Sequence, residues 1–396
     1  MKRRRFLGTV GAGLTIAAAG CTSQAPSSDG GDGDGDGGGD GSGEGSTSTQ
    51  PSTTQPSGGS DDPNSALRDP DLPLDESALD RGAPKDAIPA ITDPAFGSDW
   101  SDFDASLDDS SQIIGVEMDG EARAYPFAIL NWHEVVNDDF NGPLLVTYCP
   151  LCGSGVTAER KVKGEETTFG VSGLLWMSDL VMYDELTESL WSQVLGKAVQ
   201  GPQTGSSLSL LPSTITTWNE WRDEHPDTRI LLPPPESDTV QGEVNRNYDR
   251  NPYAGYDESR QIGVGGGGNA DDRLHPKAPV IGVTNGGTAR AYPFEAVKQA
   301  GGVVNDTVEG LPVAVATTEN ETLVAYVRRV DGETLEFSRD GDVLRAGGSR
   351  WKLVSGEALD GPFEGTQLQR ANDRSQMFWF AWADFFPETE VFGQGG

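Results

Sequence analysis

A long internal duplication constrains this chain more than any other feature. Ile114-Gly115-Val116, Gly120 and Ala122-Arg123-Ala124-Tyr125-Pro126-Phe127 return as Ile281-Gly282-Val283, Gly287 and Ala289-Arg290-Ala291-Tyr292-Pro293-Phe294. Val136-Asn137-Asp138 returns as Val304-Asn305-Asp306, and Phe169 as Phe337. Trp191, Gly196 and Gly201-Pro202 return as Trp351, Gly356 and Gly361-Pro362; Trp218, Trp221 and Pro226 return as Trp379, Trp382 and Pro387. A period this long is not that of a solenoid, and it reads as two related lobes.

Within one copy, Ile113 to Met118 and Ala122 to Tyr125 alternate around an Asp-Gly pair, which signals a hairpin. Phe127 to Val136 has helical apolar spacing. Leu144 to Tyr148 reads as a strand, and Val156 to Lys163 with Thr167 to Val171 as a second hairpin. Trp218 to Glu224 reads as a short helix stopped by Pro226. The expected fold is α+β and β-rich, with two internally repeated lobes of short strands and a few short helices. The lobes are assigned to residues 81–235 and 277–396. An irregular connection, 236–276, carries Tyr248, Tyr253 and Tyr256 and then a glycine run.

The chain ahead of the lobes has another character. Residues 1–20 read as a targeting segment: Arg3-Arg4-Arg5-Phe6-Leu7 resembles a twin-arginine export signal, and the apolar stretch behind it is too short to span a bilayer comfortably. Ala18-Ala19-Gly20-Cys21 resembles a lipobox, which implies cleavage before Cys21 and lipid on its sulfur. Residues 21–80 are rich in Gly, Asp, Ser and Thr, and their first forty bury too little to offset ordering entropy, so a disordered stalk is expected. The expected location is the outer face of the cell membrane, held by lipid on Cys21.

The formal net charge is -33, from 62 acidic and 29 basic side chains. Nucleic acid needs a basic footprint, so it is excluded as a partner, and docking on anionic lipid is disfavoured. Acidic, lysine-poor chains stay soluble by repulsion that strong salt screens, which points to a salt-loving archaeon.

The chain has three cysteines. With Cys21 assigned to lipid, Cys149 and Cys152 remain, in Tyr148-Cys149-Pro150-Leu151-Cys152-Gly153. The duplication acts as an internal control here. The second copy offers Ala316 and Glu319 where the cysteines stand, a glycine for His133, and no acidic partner for Asp184. Residues kept in both copies, such as Arg123, Tyr125 and Asn137, read as fold-holding, and those of the first copy alone as chemical. Gly265 to Gly268 lacks the flanking strand and helix of a phosphate loop, so no nucleotide or organic cofactor is indicated. His225 and His275, each before a proline, read as loop or cap positions.

The cysteine segment resembles the DUF3179 family, a domain of unknown function in exported bacterial and archaeal proteins. Further motifs carry the resemblance: Ala124-Tyr125-Pro126, His133-Glu134 with Asn137-Asp138, Phe169-Gly170-Val171-Ser172-Gly173, Tyr183-Asp184 with Thr187, and Ser189-Leu190-Trp191. It implies no activity, cofactor or catalytic residue.

Three functions follow from the residues. In the first, Cys149, Cys152 and His133 bind a soft metal, copper or zinc, because a Cys-x-x-Cys turn brings two thiolates to one ion. Asp184, Met177, Met182 and Glu134 are candidates for a fourth ligand or for support. In the second, the thiols cycle with a disulfide, as an oxidising compartment allows. Against it, the helix that normally follows such a motif is absent from the pattern. The third is a non-catalytic surface binding module with a static disulfide. Whether the protein is an enzyme is left open.

Overall fold

The computed structural model describes residues 66–68, 70–242, 244, 246–264 and 271–394. The expected signal at 1–20, Cys21 and the stalk as far as residue 65 lie outside the described residues. From Ala66 the chain already joins the fold: Leu74 is buried and its N–H donates to Val199 O, and Asp80–Arg81 pairs with blade residues 174 and 175.

Strand makes up 40% of the structure and helix 10%, in six blades arranged as a β-propeller. This corrects the expectation of an α+β fold in two lobes. Each copy of the repeat supplies three blades. Blade 1 is built on the hairpin Gln112–Met118 with Glu121–Pro126, blade 2 on Val135–Asp139, Pro143–Cys149 and Ser154–Glu159, and blade 3 on Phe169–Trp176 with Asp179–Asp184. Blades 4, 5 and 6 are built on Pro279–Asn285, Leu311–Thr317 and Val343–Ala346. Among the described residues no sheet takes strands from both copies.

Two lobes do not form because the cores run between copies. One apolar cluster joins Tyr148 and Trp221 to Ala314, Tyr326 and Trp351; another joins Cys149 and Trp176 to Trp379 and Phe385. Burying these large rings is the main driving force available, and neither copy covers them alone. The described helices, α1 (Phe127–His133), α2 (Trp218–Glu224), α3 (Phe294–Gln299) and α4 (Trp379–Phe385), are two turns or less and form no layer of their own.

Each copy seals its own first blade. Thr214–Thr217 returns to pair with Gln112–Met118, and Met377–Phe378 returns to Pro279–Asn285. The helix that follows, α2 or α4, lays a tryptophan on a glycine of that strand. A Cβ at Gly115 would meet the Trp221 ring, and one at Gly282 would fall inside the Trp382 ring. Both indoles donate to a threonine, Trp221 to Thr228 at 2.9 Å and Trp382 to Thr389 at 2.8 Å.

The other residues kept in both copies hold the fold in the same way. Arg123 and Tyr125 bond Asp138 at 2.6 Å, while Arg290 and Tyr292 bond Asp306 at 2.8 and 2.9 Å. Asn137 satisfies the Phe169 backbone, and Asn305 that of Phe337.

Candidate functional site: a buried dithiol and carboxylate

The strand Pro143–Cys149 ends at Cys149, and a turn over 150–153 leads into Ser154–Glu159. Both cysteines are free thiols, Cys149 at 2% exposure and Cys152 at 0%. Both donate to one acceptor, the carbonyl of Ser178, at 3.6 and 3.3 Å. No helix follows the motif, so no helix dipole stabilises a thiolate. Burial, then the hydrogen bond with Cys149 and its charge, push the Cys152 thiol well above its usual range.

The third member is Asp179. One donor atom from each of Cys149, Cys152 and Asp179 lies within 4.8 Å of the others, and all three residues are buried. The Asp179 carboxyl accepts from Ser192 Oγ at 2.6 Å and from Val194 N at 3.3 Å. Burial outweighs these bonds and pushes it up to about 7.

Asp179 arrives through an unusual turn. Trp176 pairs with Asp179, leaving Met177 and Ser178 as a two-residue turn, with φ of 55° and 68°. Positive φ at both positions is what a type I′ turn needs, and it normally selects Asn-Gly. A Met-Ser pair held there carries backbone strain of the kind that gathers at functional sites. The turn aims the Ser178 carbonyl at both sulfurs.

The cluster differs from the expected ligand set in its third member. His133 is fully buried, but its Nδ1 lies 2.7 Å from Pro89 O and its Nε2 2.9 Å from the Tyr248 hydroxyl. Burial pushes it down to about 4, so it is neutral at ordinary pH. Both nitrogens are used, and the group that assembles with the thiols does not include it. Asp184 binds Thr187 and the Trp191 indole and is likewise outside the cluster. Met182 packs inside blade 3 and Met177 serves the turn.

Glu134 has a different standing. It is buried, accepts from the Tyr253 hydroxyl at 3.4 Å, and is pushed up to about 8 by burial. Its carbonyl accepts from Tyr148 N, beside Cys149. Its φ is 56°, whereas the ladder register puts Gly302, φ 81°, at the same place in the second copy.

The same ladders refine the internal control. Asn137 faces Leu145 and Asn305 faces Ala314, so Cys149 corresponds to Thr318, not Ala316. The second copy has the shorter turn 319–321 and no thiol there.

Sequence spacing does not reveal Asp179, which stands 27 positions after Cys152 on another blade. A signal was nonetheless present. Phe169 and Trp191 are 22 positions apart and their counterparts Phe337 and Trp351 only 14, so the first copy alone has a hairpin long enough to reach the thiols.

A cavity of about 330 Å³ lies beside the cysteine turn, lined by Tyr148, Pro150, Gly153, Tyr253, Tyr256 and Phe378 among others. The molecule is thus a six-bladed propeller that buries an unpaired dithiol with one carboxylate at its side. The chain belongs to the family described as protein of unknown function (DUF3179), whose model matches residues 85–389. No curated protein and no solved structure matches it.

Proposed function

We propose that the first copy binds a zinc-class divalent ion through Cys149, Cys152 and Asp179, on a protein exported and held at the outer face of the membrane by lipid on Cys21. The observation that carries the ion is the meeting of three buried donors within 4.8 Å, each of which becomes anionic on losing its proton. Burying three such groups is costly unless protons or a cation neutralise them. Two thiolates with a carboxylate suit zinc, whereas copper(I) favours all-soft sets, so the carboxylate moves the choice towards zinc. Three protein donors leave one position open, as in catalytic or carrier sites.

Metal content of protein purified anaerobically tests this. About one ion per chain is expected in wild type, none in Cys149→Ser, weakened binding in Asp179→Asn, and full binding in His133→Ala. Binding strengthens as pH rises through about 7, because the ion displaces protons from Asp179 and the thiols. Metal-free wild type would reject the reading.

Thiol-disulfide exchange is the second reading, favoured by two free thiols sharing one acceptor. Turnover on a disulfide substrate by metal-free protein would establish it. The twin-arginine-like start and the lipobox-like Ala18-Ala19-Gly20-Cys21 support the anchor. Cys21→Ser is expected to abolish fatty-acid labelling and to move the protein from the membrane to the soluble fraction.

A further inference from the structure

The residue whose carbonyl holds both sulfurs, Ser178, lies against a segment that belongs to neither copy. We propose that residues 253–263 form a cap over the dithiol, latched by Lys277, and that an ion or thiol reagent reaches the sulfurs only when this cap lifts. The proposal concerns access to the site named above and rests on that site being the working one.

The cap lies against the support of the thiols. Gly263, φ 57°, sits so close to Ser178 that a Cβ would collide with the Ser178 side chain. Its N–H donates to the Tyr256 hydroxyl at 2.9 Å. Tyr253 binds Glu134, and the charges of the thiols are among the influences on both tyrosines. Tyr253 and Tyr256 also line the 330 Å³ cavity, together with Pro150 and Gly153 of the cysteine turn. The cavity, the cap and the cysteine turn therefore meet at one place.

The latch comes from the second copy. Lys277 is 3% exposed. Its ammonium donates to the carbonyls of Gln261 at 2.5 Å, Ser259 at 3.3 Å and Tyr256 at 3.5 Å. It also stands 3.6 Å above the Tyr256 ring centroid, within cation–π range. Residues 253–263 belong to no helix or strand, so no ladder holds them down. One buried ammonium gathers three of their carbonyls, beside Tyr253 on Glu134 and Ile262 in the core, and segments held without a ladder are the ones that open locally while the rest stays folded.

The test is the rate at which a small aromatic disulfide reagent modifies Cys149 and Cys152 in metal-free, natively folded protein. Wild type is expected to react slowly. Lys277→Met is expected to react about tenfold faster or more, as is Gly263→Ala, which pushes the cap off Ser178. Lys85→Met removes another ammonium-over-ring contact, at Tyr183, which involves no residue of 253–263, and is expected to leave the rate unchanged. Should Lys277→Met unfold the chain, Gly263→Ala and Tyr256→Phe carry the test. Equal rates in wild type and the cap variants would overturn the cap, as would an acceleration matched by Lys85→Met. Because no metal is present, this result stands apart from whether the site binds zinc.

Discussion

The two halves of the ring share a scaffold and differ where chemistry is possible. Both lay a tryptophan on a glycine, both clamp an Arg and a Tyr on one Asp, and both tie a loop with one Asn. The first adds two thiols, a longer hairpin with Asp179 at its tip, and a carboxyl at Glu134 where its counterpart is Gly302. The lesson is that the site is an addition to a frame that stands without it. Shared residues should therefore cost stability when changed, and the first half's own residues should cost binding while sometimes adding stability.

A first contrast is expected at the shared aspartates. The Asp138 side chain is 3% exposed and that of Asp306 23%. Removing one partner of a buried pair leaves the other uncompensated, so Asp138→Asn should cost about 3 kcal/mol and Asp306→Asn about 1 kcal/mol, read from denaturant unfolding. Equal losses would break the comparison.

Next comes pH. The folded pKa of Glu134, about 8, lies above the ordinary carboxyl value of 4.5, so the folded state holds an extra proton between them. Its contribution is fully present below about 4.5 and is lost as pH rises through about 8, by up to about 5 kcal/mol. Glu134→Gln should flatten that fall in metal-free protein. Gly302 makes no such contribution, so changing it should leave the profile alone.

The glycines follow. Gly115→Ala and Gly282→Ala each overpack a tryptophan and should each cost about 1–3 kcal/mol, with Gly282 the worse because its Cβ falls inside the ring. The smallest effect is expected from Glu134→Gly, which makes the first half resemble the second. It removes a strained left-handed backbone and a buried carboxyl, and should stabilise the fold by about 1 kcal/mol.

Much of this was legible before any coordinates. The duplication, the Asp-Gly hairpin, α2 with its stop at Pro226, and the fold-holding Arg123, Tyr125 and Asn137 all follow from local pattern and from comparing copies. The ring was not, because how two copies close on each other depends on which faces they leave bare, and Tyr148 or Trp351 look the same in sequence whether covered from within or from across. His133 entered the expected set because soft-ligand chemistry favours imidazole, while its partners in the fold, Pro89 O and the Tyr248 hydroxyl, come from segments with no signature. Asp179 was hidden by distance in sequence, although the unequal spacing from Phe169 to Trp191 pointed to it.

Since no sheet among the described residues is shared between the halves, they meet as two separate molecules would. A polypeptide carrying one half alone would, by the same rule, pair with its own twin and show every substitution twice. Joining them in one chain lifts that obligation: a cysteine can stand on one side without repeating on the other, and a single tether is free to lie across one flank.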